Sequence, residues 1–490
     1  MPDDVTPLSI SQNDPTGAPG GDPRRDIGTR ATLTLAWIAT VLVVVATVFV
    51  QTAGGRRALM QGAPGPAATL PDEPPGGIAE IMCRYLVGAK TMFSGGVAPS
   101  TKELMQPLAQ FEEASPTDAL RVGIAAAELE GPSAAVDRLT TLADNPKASE
   151  TLRREAAALA AVYAADDKQA AIREIDPSIR GGLTDRHGWF GDLAQAAGMA
   201  ESDPPKAAVL ARALRTVLIL VGAVMVVGVA GIAGLVLLIV AALKRSKGQM
   251  HDRYHPPAPG GSVYLETFAI FLGGFLLLIP LGALIEPSVP GAGEMLSWLL
   301  VLVPLWPLAR GTPWNKHRHA LGWHSGAGVA REVGAGVAGY IAGLPILGLG
   351  VMLTLILAFA DALVRKALGL HEGGPISHPI VQEIGQGGVW AKVKLVSLAV
   401  IWAPLVEESM FRGALYHHLR GRLRPLVSGL LVAFVFAVIH PQGIITVPAL
   451  MSLAVVFAQM REWRGSLIAP MTAHALHNGA LMTVMLIAMS

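Results

Sequence analysis

The apolar positions of the chain change their pattern twice. Residues 31–50, "ATLTLAWIATVLVVVATVFV", form one apolar run. Residues 81–205 are Ala-rich and charged, with apolar positions at helical spacing and no run long enough to cross a bilayer. From about 210 onward apolar runs dominate, and spans are expected near 215–243, 263–285, 294–309, 333–360, 391–411, 426–441, 444–460 and 466–489. With the first run this gives about nine transmembrane helices. The expected fold class is therefore all-α, a polytopic helical membrane protein that also carries a helical domain outside the bilayer.

The segments between these regimes sharpen the division. Residues 1–30, rich in Pro, Gly, Asp and Ser, read as a disordered cytoplasmic tail. The run over 31–50 follows Arg24, Arg25 and Arg30 and exceeds the ~7–15 apolar residues of a signal-peptide core, so it reads as a membrane anchor. Residues 51–80 form a Gly/Pro linker. Within 81–205, Leu120 and Leu152 open similar stretches 32 residues apart, and Ala134–Leu139 resembles Ala170–Ile175 at an offset of 36. Such offsets suit stacked tetratricopeptide-type hairpins, whose concave faces bind protein partners. Residues 210–390 read as an N-terminal transmembrane bundle and 391–488 as a second transmembrane core.

Charge orients these elements. With the N-terminus in the cytoplasm, the inside loops hold Lys244, Arg245, Lys247 and Arg253, then Arg310, Lys316, Arg318 and Arg331, then Arg420, Arg422 and Arg424, then Arg461 and Arg464. The short loops near 286–293 and 442–444 carry no Lys or Arg, whereas the 361–394 connection departs from the rule with Arg365, Lys366, Lys392 and Lys394. This places the protein in the cell membrane, with residues 51–205 outside the cytoplasm. A hydrophobic content of 52%, a charged content of 15% and a mean hydropathy of +0.47 agree with a lipid environment. A net charge of +1 gives no case for nucleic-acid binding. The single cysteine, Cys83, excludes an internal disulfide and any multi-cysteine metal site.

Some motifs carry little. "GAGVAG" (334–339) follows no strand and lies in an apolar helix, so its glycines suit close helix packing rather than a dinucleotide. "HDRYH" (251–255) reads as a cytoplasmic loop before two prolines. His317, His319 and His324, with Lys316 and Arg318, read as a basic loop at lipid headgroups, and His417 and His418 likewise.

Three polar groups inside the last four spans cannot be set aside, since a charge at the bilayer centre costs at least ~2.5 kcal/mol. They are Glu407, Glu408 and Arg412; His440; and His474 with Asn478. Glu408 and Arg412 are four apart on one helix face with the acid first, the favourable order for an ion pair. Glu407 points about 100° away. Glu407 and His440 each lie ~24 Å from the hairpin tip near Leu423 if helical, so antiparallel neighbours hold them at one depth. A carboxylate, two imidazoles and an amide at similar depth can hold one water against one carbonyl, a hydrolytic constellation. The alternatives are helix-bridging hydrogen bonds alone or, in a transporter, proton or cation sites; no duplicated halves support the latter.

These residues resemble the type II CAAX prenyl endopeptidase and bacteriocin-processing (Abi) family, CPBP. Its motifs occur in order: Glu407-Glu408-x-x-x-Arg412, Phe436-x-x-x-His440 and His474-x-x-x-Asn478. The resemblance covers roughly 391–488 and implies an intramembrane endopeptidase acting on a membrane-associated peptide or protein. It implies that Glu407 activates water with His440, that His474 and Asn478 bind the oxyanion, and that Glu408 and Arg412 hold the site in shape. A non-catalytic scaffold or bacteriocin self-immunity protein is the alternative. No cofactor is assigned; Glu407, His440 and His474 form a set that zinc accepts with one open position, and equally one that holds a water by hydrogen bonds. No HExxH helix is present.

Overall fold

The computed structural model describes residues 24–51, 77–93, 105, 108–285, 288, 289, 291–369 and 388–489. Most of the expected tail (1–23), most of the Gly/Pro linker (52–76) and the middle of the 361–394 connection (370–387) lie outside the described residues. Among the described residues there is no strand, and six helices are long and apolar enough to cross a membrane, with two shorter apolar helices beside them. The protein is an all-α polytopic membrane protein.

The first helix, α1, runs Arg30–Gln51. A helical unit follows: α2 (Ile78–Met92), α3 (Ala109–Ala114), α4 (Pro116–Leu129), α5 (Pro132–Ala143), α6 (Glu150–Ala164), α7 (Lys168–Glu174), α8 (Pro177–His187) and α9 (Trp189–Gln195). Its helix starts follow from sequence, because Ser115, Ser149, Asp167 and Asp176 each accept a hydrogen bond from a backbone N–H of the first turn. The repeating stretches fall on successive hairpins, Leu120 on α4 and Leu152 on α6, with Ala134–Leu139 on α5 and Ala170–Ile175 at α7. The second hairpin closes with a helix of only 7 residues. Leu120, Ile124, Leu139, Leu159 and Phe190 form one core, which also takes in Val209, Leu210 and Ala213 of the next helix. At ~25 cal/mol per Å² of apolar area, that shared burial fastens the unit to the bundle.

That next helix, α10 (Pro204–Ser246), spans 43 residues without a break, ~65 Å at 1.5 Å per residue. Val224 and Ile232 in its middle are about 70% exposed in the isolated chain, as lipid-facing side chains are. The bundle continues with α11 (Val263–Ile285), α12 (Ala292–Ser297), a 3-10 segment Trp298–Leu305, α13 (Trp306–Ala309), α14 (Trp314–Leu321) and α15 (Val329–Ala367). It ends with α16 (Val389–Ser397), α17 (Ala403–Glu408), α18 (Tyr416–Arg420), α19 (Pro425–Val438), α20 (Val447–Arg464) and α21 (Ile468–Met489). Segments of π-helix, Leu398–Trp402 and Ser409–Leu415, join α16, α17 and α18 into one rod. The span expected at 391–411 therefore runs on to Arg420, and the one expected at 426–441 ends at Val438. Small residues on α15 bring helices together as "GAGVAG" suggests: Gly339 lies against Met460, and Gly343 against Val456, both on α20.

One end of the bundle is a knitted layer. Residues 24–29 lie along 258–263, with a bridge between Arg25 and Ala258 and with Ser262 N–H donating to the Ile27 carbonyl at 2.9 Å. Lys316 donates to the Arg25 carbonyl at 2.6 Å, and Leu467 N–H to the Gly322 carbonyl at 3.0 Å. The helical unit sits at the opposite end, where Arg84 and Thr216 both reach the Ala488 carbonyl at 3.4 Å.

Candidate active site

Glu407 and Glu408 close the short helix α17 between the two π-helical segments. Pro404 gives a physical reason for the first of these. Proline has no N–H and crowds the carbonyl four residues earlier, which a wider turn relieves. Ala403 N–H donates to the Leu398 carbonyl, five residues back. The next carbonyl in this register, that of Ala399, would need the N–H that Pro404 lacks. Asn478 supplies it: its Nδ2 donates to Ala399 O at 2.7 Å. A buried carbonyl without a partner costs about 1–3 kcal/mol, so α21 caps the rod about two turns before the glutamates.

The two carboxylates meet different surroundings. Glu408 is fully buried; its Oε1 accepts from Arg412 Nη1 at 3.0 Å and bonds His474 Nδ1 at 2.8 Å. Arg412, equally buried, donates from Nη2 to the Ala454 carbonyl at 3.1 Å. Its guanidinium lies 4.8 Å from the Phe436 ring centroid and 5.2 Å from that of Phe457, contacts that partly offset the loss of water. Glu407 is 18% exposed at the side chain and forms no hydrogen bond among the described residues. Its Oε2 stands 3.9 Å from His474 Nε2, within ion-pair range and beyond hydrogen-bond length. The His474 imidazole thus lies between both glutamates, with its face stacked on Phe457 at 5.4 Å.

His440 lies just past the C-terminus of α19, and its Nδ1 donates to the Phe436 carbonyl at 2.5 Å. In the neutral ring this leaves Nε2 as an acceptor. The Phe436 ring connects it to the rest, 4.2 Å from His440 and 6.4 Å from His474 between centroids. The structure thus brings Glu407, Glu408, Arg412, His474 and Phe436 together directly, His440 through Phe436, and Asn478 to the rod about two turns before the glutamates. It does not gather a metal site: among the described residues no three His, Cys, Asp or Glu side chains are placed to share an ion. The zinc set of Glu407, His440 and His474 is therefore not assembled in this structure, because His474 is turned by Glu408 and His440 by its own helix.

Other expectations need correction. His317, His417 and His418 are buried, not at the headgroup surface. His417 bonds the Tyr254 hydroxyl at 2.8 Å and Asp26 at 3.1 Å, while His418 packs edge-on against Trp37 of α1. Arg461, counted among loop cations, is fully buried; it donates to the carbonyls of Arg412 at 3.3 Å, Ala320 at 2.8 Å and Gly465. Beside it Glu462 receives Tyr416 at 2.7 Å and Arg420 at 2.9 Å. This polar layer under the site lay outside the expected span 444–460, because α20 continues past the apolar run to Arg464.

The fold and site define a polytopic helical membrane protein with ionisable groups enclosed in its core. Residues 389–480 match the family model described as type II CAAX prenyl endopeptidase Rce1-like, the family that the three motifs resemble. That match supports a membrane protease of the CAAX type in general. Neither a curated protein nor a solved structure matches the chain.

Proposed function

We propose that the protein is an intramembrane endopeptidase that hydrolyses a peptide bond in a membrane-associated substrate, with Glu407 as the base. The observation that carries this is the contrast between adjacent glutamates: Glu408 is consumed by Arg412 and His474, whereas Glu407 is partly open and unbonded. Glu407 takes a proton from water, and the hydroxide oxygen bonds to the scissile carbonyl carbon. His440 Nε2 accepts a hydrogen bond from the same water. In its cationic form His474 donates Nδ1–H to Glu408 and presents Nε2–H to the developing oxyanion, and the second N–H of Asn478 adds to it. The proton on Glu407 then passes to the amide nitrogen as the C–N bond breaks. Glu408 and Arg412 hold His474 in place.

In this reading the knitted layer at residues 24–29, 253–262 and 315–326 faces the cytoplasm, as the Lys/Arg distribution favours. The helical unit over 78–195 then stands outside the cell membrane, where it recruits a substrate or partner. Glu407 lies 13 residues before Arg420, ~20 Å below that face. The test is cleavage of a membrane-anchored peptide by purified protein in detergent, wild type beside Glu407→Gln, each with and without a chelator. Turnover is expected to vanish in Glu407→Gln with the fold intact. Undiminished cleavage by that variant would end the role given to Glu407, and loss in chelated wild type would bring a metal into the site.

A further inference from the structure

Helix α21 carries His474 and Asn478, and its far end is gripped from outside the bundle's last helices. At its start Ser466 donates to the His324 carbonyl at 2.7 Å, and Leu467 N–H to that of Gly322 at 3.0 Å. Along its middle His474 bonds Glu408, His477 bonds the Tyr340 hydroxyl at 3.1 Å, and Asn478 donates to Ala399. Past Asn478 the helix opens: Leu481 and Ile487 are about half exposed in the isolated chain. Burial returns at Ala488, which is only 1% exposed.

The groups that meet Ala488 belong to the helical unit and to α10. Arg84 of α2 donates from Nη1 to the Ala488 carbonyl, and Thr216 of α10 donates its hydroxyl to the same oxygen, each at 3.4 Å. Both bonds are long, but they converge on one atom. The last carbonyls of a helix have no donor within it, and a cation beside them also meets the negative end of the helix dipole.

Arg84 is itself held in place. It is buried, pairs with Glu80 at 2.5 Å, and sets its guanidinium 5.8 Å from the Trp189 ring centroid. Trp189 donates its indole N–H to the Val209 carbonyl of α10 at 3.1 Å. One turn further along α2, a Cβ added at Gly88 would stand 2.5 Å from the Ala213 carbonyl, so α2 and α10 meet backbone against backbone. Arg84 is therefore a fixed strut between the helical unit and the end of α21.

We propose that Arg84, with Thr216 beside it, is a positioning residue for the candidate active site. It fixes the end of α21 and, through that helix, the placement of His474 between the glutamates and of Asn478 on Ala399; this rests on the reading of His474 and Asn478 given above. Ala488 is ten residues beyond Asn478 and fourteen beyond His474, ~15 and ~21 Å of continuous helix. A tilt or slide at the end is carried to both. The helical unit then holds the site in shape as well as recruiting to it.

The test uses full-length protein in detergent. Arg84→Met is combined with Glu80→Gln so that the buried ion pair is removed whole. Thr216→Val is the milder variant, Arg84→Lys the conservative one, and Arg138→Gln the control, since it breaks two ion pairs inside the unit, with Glu112 and Glu130. Two readouts are taken: the ¹⁵N resonances of the His474 imidazole, assigned against His474→Asn, and cleavage of a membrane-anchored peptide. The double variant is expected to shift the His474 resonances and to lower kcat roughly tenfold at unchanged KM. Thr216→Val should move both in the same direction by less, and Arg84→Lys should stay near wild type. Unmoved resonances with unchanged kcat, a rise in KM alone, or equal changes in Arg138→Gln would overturn the proposal. Where the double variant does not fold, Thr216→Val decides in its place. Where wild type does not cleave, the endopeptidase reading fails and the His474 resonances alone decide: shifted, they support the strut; unshifted, they overturn it.

Discussion

Removing Arg412 would leave the fully buried Glu408 carboxylate with His474 as its remaining partner among the described residues. Breaking a buried pair from one side costs about 3–5 kcal/mol, so Arg412→Met is expected to lower the unfolding temperature sharply in detergent. Glu407→Gln touches a partly open side chain with no hydrogen bond, and its effect on stability is expected within about 1 kcal/mol. The same scan read for activity separates bracing from chemistry. At the water-facing end, burial lowers His317 from the ordinary 6.5 to about 4, and the nearby His417 adds to this. The unfolded chain takes up that proton first, so acid favours unfolding: the stability is whole above pH 6.5 and is lost as pH falls towards 4. Melting of wild type beside His317→Phe across that range should show a shallower decline in the variant. At this scale the Glu408–Arg412 pair was legible, because i and i+4 fix it locally. The position of His474 between both carboxylates was not, because it depends on how α21 crosses the rod.

The helices themselves were largely legible, since apolar runs of bilayer length admit few alternatives. Their irregularities were not. Pro404 marks a break, but only α21 lying alongside explains why the break is tolerated, through the bond from Asn478 to Ala399. Asn478→Ala is expected to cost about 1–3 kcal/mol through the exposed carbonyl alone. A Pro404→Ala background restores a backbone donor, so the penalty of Asn478→Ala should shrink in the double variant. Equal penalties in both backgrounds, measured by thermal melts, would show that Asn478 does not act through this carbonyl. Helix contacts follow the small residues as anticipated. Gly343→Leu would drive a side chain into Val456 and push α15 from α20, at a cost of about 1–3 kcal/mol, read as a lower melting point.

For the whole molecule, the alternation of apolar runs and basic loops anticipated a bundle with helices at one end. What it left unread is the density of polar contacts in the opposite layer, where residues 24–29, taken as tail, are laid along 258–263. Those contacts join segments more than 200 positions apart, and no local period records them. The unbroken α10 has a mechanical consequence. It holds the helical unit at one end through Val209, Leu210 and Ala213, and meets α15 at the other, where Gly234 faces the Ile341 carbonyl. Between these grips it is a stiff axle, so turning one end turns the other. One residue inserted between Val226 and Val227, both exposed, would twist the helical unit by about 100° against the bundle and pull Arg84 from Ala488. Seven inserted residues would return it to within about 20° of its starting angle, displaced outward by ~10 Å.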